Sequence, residues 1–310
     1  MGGVAREGAP VVAVAIATRN RPDHLAQVMN ALSAQTVRPT VVVVCDSSDP
    51  ERFEATSRVV NGSTLESFLV QSSVRSLTVQ RNLALDKLQS RQDIEFIQIL
   101  DDDTVPDAMH LETLSATLRE NATAVGASGV TIPLWKPMDK GPIGNTLTRI
   151  CGLSSNKAGS VTAAGVGIPV KTWLHEVQAA EWLFGCSMWR AHIFDKERYA
   201  SDFLGSALGE DVEFSTRAAR HGRLLVNPRA MLDHASASEG RPDAYLEAYR
   251  FVRNRRRVAR NVQSWRTGPS FILSLALILA SRLTKGQAGL HSIKGTVRGV
   301  LDEIEGRPLR

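Results

Sequence analysis

Cysteine is scarce in this chain. Only Cys45, Cys151 and Cys186 occur, an odd number without a Cys-x-x-Cys pair. That argues against a disulfide framework or a cysteine-rich zinc site, and favours a reducing, cytoplasmic compartment. Aromatics make up 5% of residues, and no recognised nucleic-acid motif accompanies the basic residues. The longest apolar run, Phe271 to Ala280, is shorter than the roughly 20 residues needed to cross a bilayer. No apolar stretch precedes the first strand. Residues 1–9, polar and glycine-rich, are therefore expected to be a disordered lead-in and not a secretory signal. Glycine is absent from Thr18 to Pro22, which counts against the glycine-rich phosphate loop of a nucleotidyltransferase. There is no fixed-period repeat.

What remains is a globular composition. The chain has 310 residues, 43% hydrophobic and 22% charged, enough for one large or two closely joined domains. A net charge of +5 and a pI near 9.3 favour anionic partners. Nucleoside diphosphates, acidic lipids and nucleic acid all qualify.

Apolar runs at Val11 to Ala17, Thr40 to Cys45 and Glu95 to Leu100 read as strands buried on both faces, with a short one at Ser67 to Gln71. Helical spacing separates them, through about Ser33, over Glu51 to Val60, and over Leu77 to Leu88. Asp107 to Arg119 reads as helix and Ala124 to Ile132 as strand. Such alternation predicts an α/β fold with a mostly parallel sheet flanked by helices. From Pro133 to Gly167 the pattern fades into glycine and proline. Beyond it, the pattern predicts a strand at Leu183 to Trp189, a helix at Asp211 to His221, and short strands at Leu224 to Val226 and Ala230 to Leu232. A helical extension follows: an arginine-rich helix from Pro242 to Trp265, the apolar run, and a last helix over Ser292 to Ile304.

The candidate chemistry starts at Asp101-Asp102-Asp103, which ends the strand Glu95 to Leu100. Adjacent carboxylates raise one another's pKa, and a cation relieves that cost. Hard oxygen donors suit Mg²⁺ or Mn²⁺, commonly shared with substrate phosphates. The bland alternative is a solvated loop or a helix cap. Ligands bind at the carboxyl ends of strands in such sheets, and Thr18 to Arg21, Asp46 and the aspartates all fall there.

The order of motifs resembles the family 2 glycosyltransferases of the GT-A (Rossmann-like) fold, from about Val11 to Asn261. The carrying segments are Ala17 to Pro22, Asp46, Gln80-Arg81-Asn82, the aspartate triplet, Leu183 to Met188, Gly209 to Glu213, Asp233-His234, and Tyr249 to Arg257 with Arg253-Asn254-Arg255. The second-strand loop departs from the family, with Asp46-Ser47-Ser48 and no glycine. The resemblance implies a DXD motif, with Asp103 and His234 as ligands of Mn²⁺ or Mg²⁺. It implies donor contacts from Thr18, Arg19, Arg21, Asp46, Arg81, Asp101 and Asp102. The three arginines read equally well as salt-bridge partners. Asp211 is the implied base and Glu210 the neighbour that raises its pKa; a simple helix cap is the alternative. Trp182, Gly185 and Glu210 are assigned to the acceptor side, although Trp182 fits a buried core equally.

These implications predict a catalytic domain over residues 10–240, with a nucleotide-sugar half at 10–130 and an acceptor half at 131–240, then the extension at 241–310. The partners implied are a nucleoside-diphosphate sugar and a glycan or lipid-linked acceptor, with no nucleic acid. Arginines beside an apolar run suggest either a seat on an anionic membrane, on the inner face of the plasma membrane, or a solvated arginine face with the apolar segment packed on the catalytic domain or a second subunit. Rival readings are a sugar nucleotidyltransferase and a nucleic-acid-binding protein using the arginine helix.

Overall fold

Valine and isoleucine alternating with alanine in the first strand, and four consecutive valines in the second, make both strands apolar on both faces, and both faces are covered. In this computed structural model, residues 8–133, 141–170, 176–203, 207–234, 243–262 and 264–308 are described. Most of the expected lead-in, residues 1–7, lies outside them. Strands β1 (Val12–Thr18), β2 (Val41–Asp46), β3 (Ser67–Gln71) and β4 (Phe96–Asp101) are parallel, in the order β3-β2-β1-β4. Between them run α1 (Pro22–Ser33), α2 (Pro50–Asn61) and α3 (Leu77–Leu88). Every residue of β1 and β2 is buried, as a sheet covered on both sides requires.

The second half differs from an all-parallel sheet. After β4 come β5 (Thr104–Pro106), α4 (His110–Glu120), β6 (Ala124–Ile132) and α5 (Gly141–Ile150). Then follow β7 (Gln178–Ala180), β8 (Ser187–Arg190), a 3-10 turn at Ala191–Asp195, α6 (Glu210–Ala218) and β9 (Arg223–His234). The sheet continues β4-β8-β6-β9-β5, with β7 also paired to β9. β8 is antiparallel to both its neighbours, while β6 and β9 are parallel. One core joins α1 and α4 to the sheet through Leu25, Val28, Leu111 and Leu114. The other joins α3 and α6 through Leu85, Leu88, Phe214 and Ala218.

Several expectations are corrected here. The predicted strand from Leu183 shortens to β8, because Leu183 to Cys186 turns past a buried ion pair. The two short strands after α6 are one, β9. Its Pro228 lacks an N–H, so the ladder shifts register there instead of ending. The irregular stretch after Pro133 contains α5; its residues 134–140 lie outside the described ones. The C-terminal region is helical as expected: α7 (Ala244–Asn261), α8 (Thr267–Leu283) and α9 (Gly286–Ile304). α7 packs on α6 and α9 around a small core of Val252, Ala259 and Phe271.

Candidate functional site

Register gathers the candidate residues at one end of the sheet. Thr18 pairs with Asp46 across β1 and β2, and Ala17 with Asp101 across β1 and β4. The antiparallel pairing of β5 and β9 sets Thr104 opposite His234. That brings His234 Nε2 within 3.5 Å of Asp103 Oδ1, although 131 positions separate them in the sequence. Phe184 meets the His234 ring edge-on at 5.9 Å.

Each aspartate of the triplet has its own partners. Asp101 accepts from Arg81 Nη2 at 2.7 Å. Asp102 accepts from Thr18 Oγ1 at 2.7 Å and from Arg21 Nη1 at 3.2 Å. Asp103 accepts from the same Arg21 nitrogen at 3.3 Å. Arg81 is the keystone: buried, it also donates from Nη1 to Glu210 Oε1 at 2.5 Å and lies over the Tyr199 ring at 5.1 Å. It therefore joins the end of β4 to the start of α6. Its guanidinium is enclosed and bound to two protein carboxylates, so it is a buried ion-pair partner and not a surface one.

Five carboxylates (Asp101, Asp102, Asp103, Glu210, Asp211) thus face two guanidiniums, Arg21 and Arg81. Burial raises the proton affinity of three of them, Asp102, Glu210 and Asp211. Burial pushes Asp102 up to about 6, against the lowering effect of Thr18 and Arg21. Burial raises Glu210, and Arg81 opposes it. Burial raises Asp211 well above the usual carboxylate range, and the charge of Glu210 adds to it. Asp211 is the second residue of α6, and its Oδ1 accepts from the Val212 amide at 2.7 Å. The preceding Gly209 takes φ +89°, a left-handed turn suited to glycine. Asn254 of α7 fastens that turn by donating to the Leu208 carbonyl at 2.9 Å.

The remaining candidates are more dispersed. Asp46 is buried; its Oδ1 accepts from the Ser48 amide at 2.7 Å and from the Ser48 hydroxyl, while Oδ2 has no hydrogen-bond partner. Arg19 is exposed, near Asp49. Trp182 donates to the Ile168 carbonyl at 3.1 Å and belongs to the wall beside Gly167. Gly185 lies inside the Arg81 network: a Cβ there would stand 3.1 Å from Arg81 Nη2 and 3.6 Å from Asp101 Oδ2. Residues that sequence reasoning missed are Tyr199 under Arg81, and Gln80, whose Nε2 donates to the Thr18 and Cys45 carbonyls at 2.7 and 2.8 Å. Gln80 had a signal, since it stands in the quoted Gln-Arg-Asn segment; Tyr199 had none.

Among the described residues no three metal-ligating side chains converge. The Asp103 and His234 pair does fit a divalent ion that completes its shell with phosphate and water oxygens, given an oxygen and an imidazole nitrogen at 3.5 Å in a carboxylate-rich setting. Asp103 raises the His234 pKa, chiefly by hydrogen bonding; a bound cation would displace that proton.

The arginine helix does not present a continuous free basic face. Arg253 and Arg255 are buried. Arg253 donates to the Arg307 carbonyl at 2.6 Å, Arg257 pairs with Asp202, and Arg260 with Glu303. A cavity of 590 Å³ between α6 and α7 is lined by these pairs together with Arg217 and Glu213.

No family model matches the chain, and no curated protein sequence matches it. Solved structures do. A mannosyltransferase from Pyrobaculum calidifontis, in complex with GDP-Man and Mn²⁺, aligns over 98% of this chain and 77% of its own, at 18% identity and TM-score 0.57. Residues 1–349 of S. aureus TarS align over 97% and 93%, at 13% identity and TM-score 0.51. In a longer S. aureus TarS structure the chain spans half the length, at 14% identity and TM-score 0.53. At these identities the likeness is one of fold. The chain shares with these glycosyltransferases a mixed α/β architecture, a central sheet flanked by helices with a helical C-terminal region.

Proposed function

We propose that the chain is an inverting, metal-dependent glycosyltransferase of family 2 type. It moves a hexose or deoxyhexose from a nucleoside-diphosphate sugar to a hydroxyl of a glycan or lipid-linked glycan. One observation carries this reading: Arg81 ties the aspartate triplet to the helix start that bears Asp211, a carboxylate whose proton affinity is raised well above normal. A base needs such a value to take a proton near neutral pH. A protein of the same fold binds GDP-Man and Mn²⁺, which supports a sugar-nucleotide donor and a divalent ion.

In this reading Asp103 and His234 hold Mn²⁺ or Mg²⁺, which supplies charge to offset the diphosphate leaving group. Thr18 and Arg21 orient Asp102 and Asp103. Asp46 Oδ2, an acceptor without a partner, suits an N–H of the nucleoside base. Asp211 takes the proton of the attacking hydroxyl, opposite the leaving group, as inversion requires. Glu210 keeps that carboxyl basic, and Arg81 keeps both at a fixed distance from Asp101. Trp182 and the segment up to Gly185 border the acceptor side. The three free cysteines accord with a cytoplasmic enzyme that meets its acceptor at the inner face of the membrane.

A thermal-shift panel tests the proposal, with UDP, GDP, dTDP and CDP each in Mn²⁺, Mg²⁺ or EDTA. A ligand at 100 times its Kd stabilises the fold by about 2.7 kcal/mol. One diphosphate should shift the melt only with metal, and Asp103→Ala should abolish the shift. No shift with any nucleotide would overturn the donor-site reading.

A further inference from the structure

Two helices that carry no acid, α5 and α8, each expose an apolar stripe. α8 is apolar along most of its length, yet only Phe271 and Ser274 are buried. Ile272, Ala276, Ala280 and Leu283 recur at helical spacing on its exposed side, with Leu273 adjacent; Ile272 is 67% and Leu283 70% exposed. On α5, Ile143, Leu147 and Ile150 form a second exposed stripe, Ile143 at 78%. The two helices adjoin: a Cβ on Gly152, just past α5, would lie 3.4 Å from Ser270 of α8. A helix apolar all round is normally buried, so this face calls for an occupant.

Charge identifies that occupant. Neither α5 nor α8 contains Asp or Glu, and Arg149, Arg266 and Lys285 lie on or beside them, while Arg282 turns onto α9 and donates to the Ser292 carbonyl at 3.0 Å. Between Asn261 and Asp302 the chain has five Lys and Arg and no acid. Arg255 behind α8 adds to this. It is buried between Phe251 and Phe271, none of its guanidinium nitrogens has a hydrogen-bond partner, and burial pushes its pKa down to about 10. Trp265, 82% exposed at the head of α8 beside Arg266, is the residue type that anchors at a lipid–water interface. A second copy of the chain would bring the same cations against each other across a two-fold axis, which is unfavourable. No described helix is long and apolar enough to cross a membrane.

We propose that the exposed faces of α5 and α8 seat the protein on an anionic bilayer surface, apolar side chains in the headgroup boundary and the flanking cations against lipid phosphates. This assigns the membrane contact to α5 and α8 in place of the arginine helix α7, whose Arg253 and Arg255 are buried and whose Arg257 and Arg260 pair with Asp202 and Glu303. It rests on these helices alone, so its failure would leave the donor-site reading intact.

Co-sedimentation of the full chain with vesicles is the test. Vesicles of phosphatidylcholine plus phosphatidylglycerol should bind it roughly a hundredfold more tightly than phosphatidylcholine alone, and added salt should weaken the binding. Ile272→Asp with Leu283→Asp should abolish binding while the melt and its nucleotide shift stay unchanged. If those variants unfold, Arg266→Glu with Lys285→Glu reads the same surface through its charge. Equal binding to both vesicle types, or anionic binding that survives both double variants, would overturn the proposal. So would a lipid-independent dimer, seen in sedimentation, that Ile272→Asp with Leu283→Asp dissolves.

Discussion

At the scale of single residues, Asp211 and Gly185 carry separate tests. Asp211 is raised by burial first and by Glu210 second, so it stays protonated to a higher pH than an ordinary carboxyl. As a base, it should place the acid limb of kcat/KM above the ordinary carboxylate range. Asp211→Asn should lower kcat roughly a thousandfold, with the nucleotide-induced melting shift retained. A kcat within a few-fold of wild type would remove Asp211 from that role. Gly185 is a matter of space. Arg81 is held at 2.5 Å by Glu210 and 2.7 Å by Asp101, so its Nη2 cannot retreat from a Cβ 3.1 Å away. Gly185→Ala should destabilise the fold by about 1–3 kcal/mol and lower activity, because the β4–α6 tie must shift. Urea denaturation and initial rates check both.

At the scale of elements, close approach of helices decides the C-terminal region. Gly295 and Gly299 of α9 lie on the backbone of α7: a Cβ at Gly295 would stand 2.1 Å from the Tyr245 carbonyl oxygen, and one at Gly299 3.0 Å from that of Tyr249. The same contact lets the Tyr249 hydroxyl donate to the buried Asp302 at 3.0 Å. Gly295→Ala should therefore cost more than the usual 1–3 kcal/mol of overpacking, read as a lower melting temperature; an unchanged melt would mean that α9 is not clasped to α7. Glycine also bears on what was legible beforehand. Gly286 and Gly289 lower helix propensity, so the sequence places the last helix at Ser292, whereas it starts at Gly286. β1 to β4 and α1 to α3 were readable because their apolar runs are continuous and their helices periodic. β5 and β7, at three residues each, leave no periodicity to detect. For the site, the aspartate triplet, Asp211 and His234 were found through motif order. The internal role of Arg81 was not decidable, because burial and its two carboxylate partners depend on β4, α3 and α6 meeting.

At the scale of the whole molecule, two kinds of buried titratable group pull stability in opposite directions between pH 4 and 7. His110, wholly buried at the start of α4, has its pKa pushed down from 6.5 to about 4 by burial, with Asp107 opposing. Its contribution is complete above pH 6.5 and is lost as the pH falls through about 4. Asp102 is the reverse. Its pKa rises from 3.8 to about 6, so its contribution is complete below 3.8 and is lost as the pH rises through about 6. Glu210 and Asp211, also raised, act with Asp102. The Asp102 and His110 pKa values each move by a little over two pH units, so each is worth about 3 kcal/mol at its limit. Urea unfolding in EDTA from pH 4 to 7 separates them. Relative to wild type, Asp102→Asn should gain about 3 kcal/mol across that window and His110→Gln should lose about as much. The opposite signs matter more than the sizes: a change of the same sign in both variants would mean that at least one group is solvated in the folded protein. If the signs hold, the carboxylate cluster is a region of stored electrostatic cost at neutral pH, and a divalent cation bound to Asp103 should recover part of it, raising the wild-type melt more at pH 7 than at pH 5.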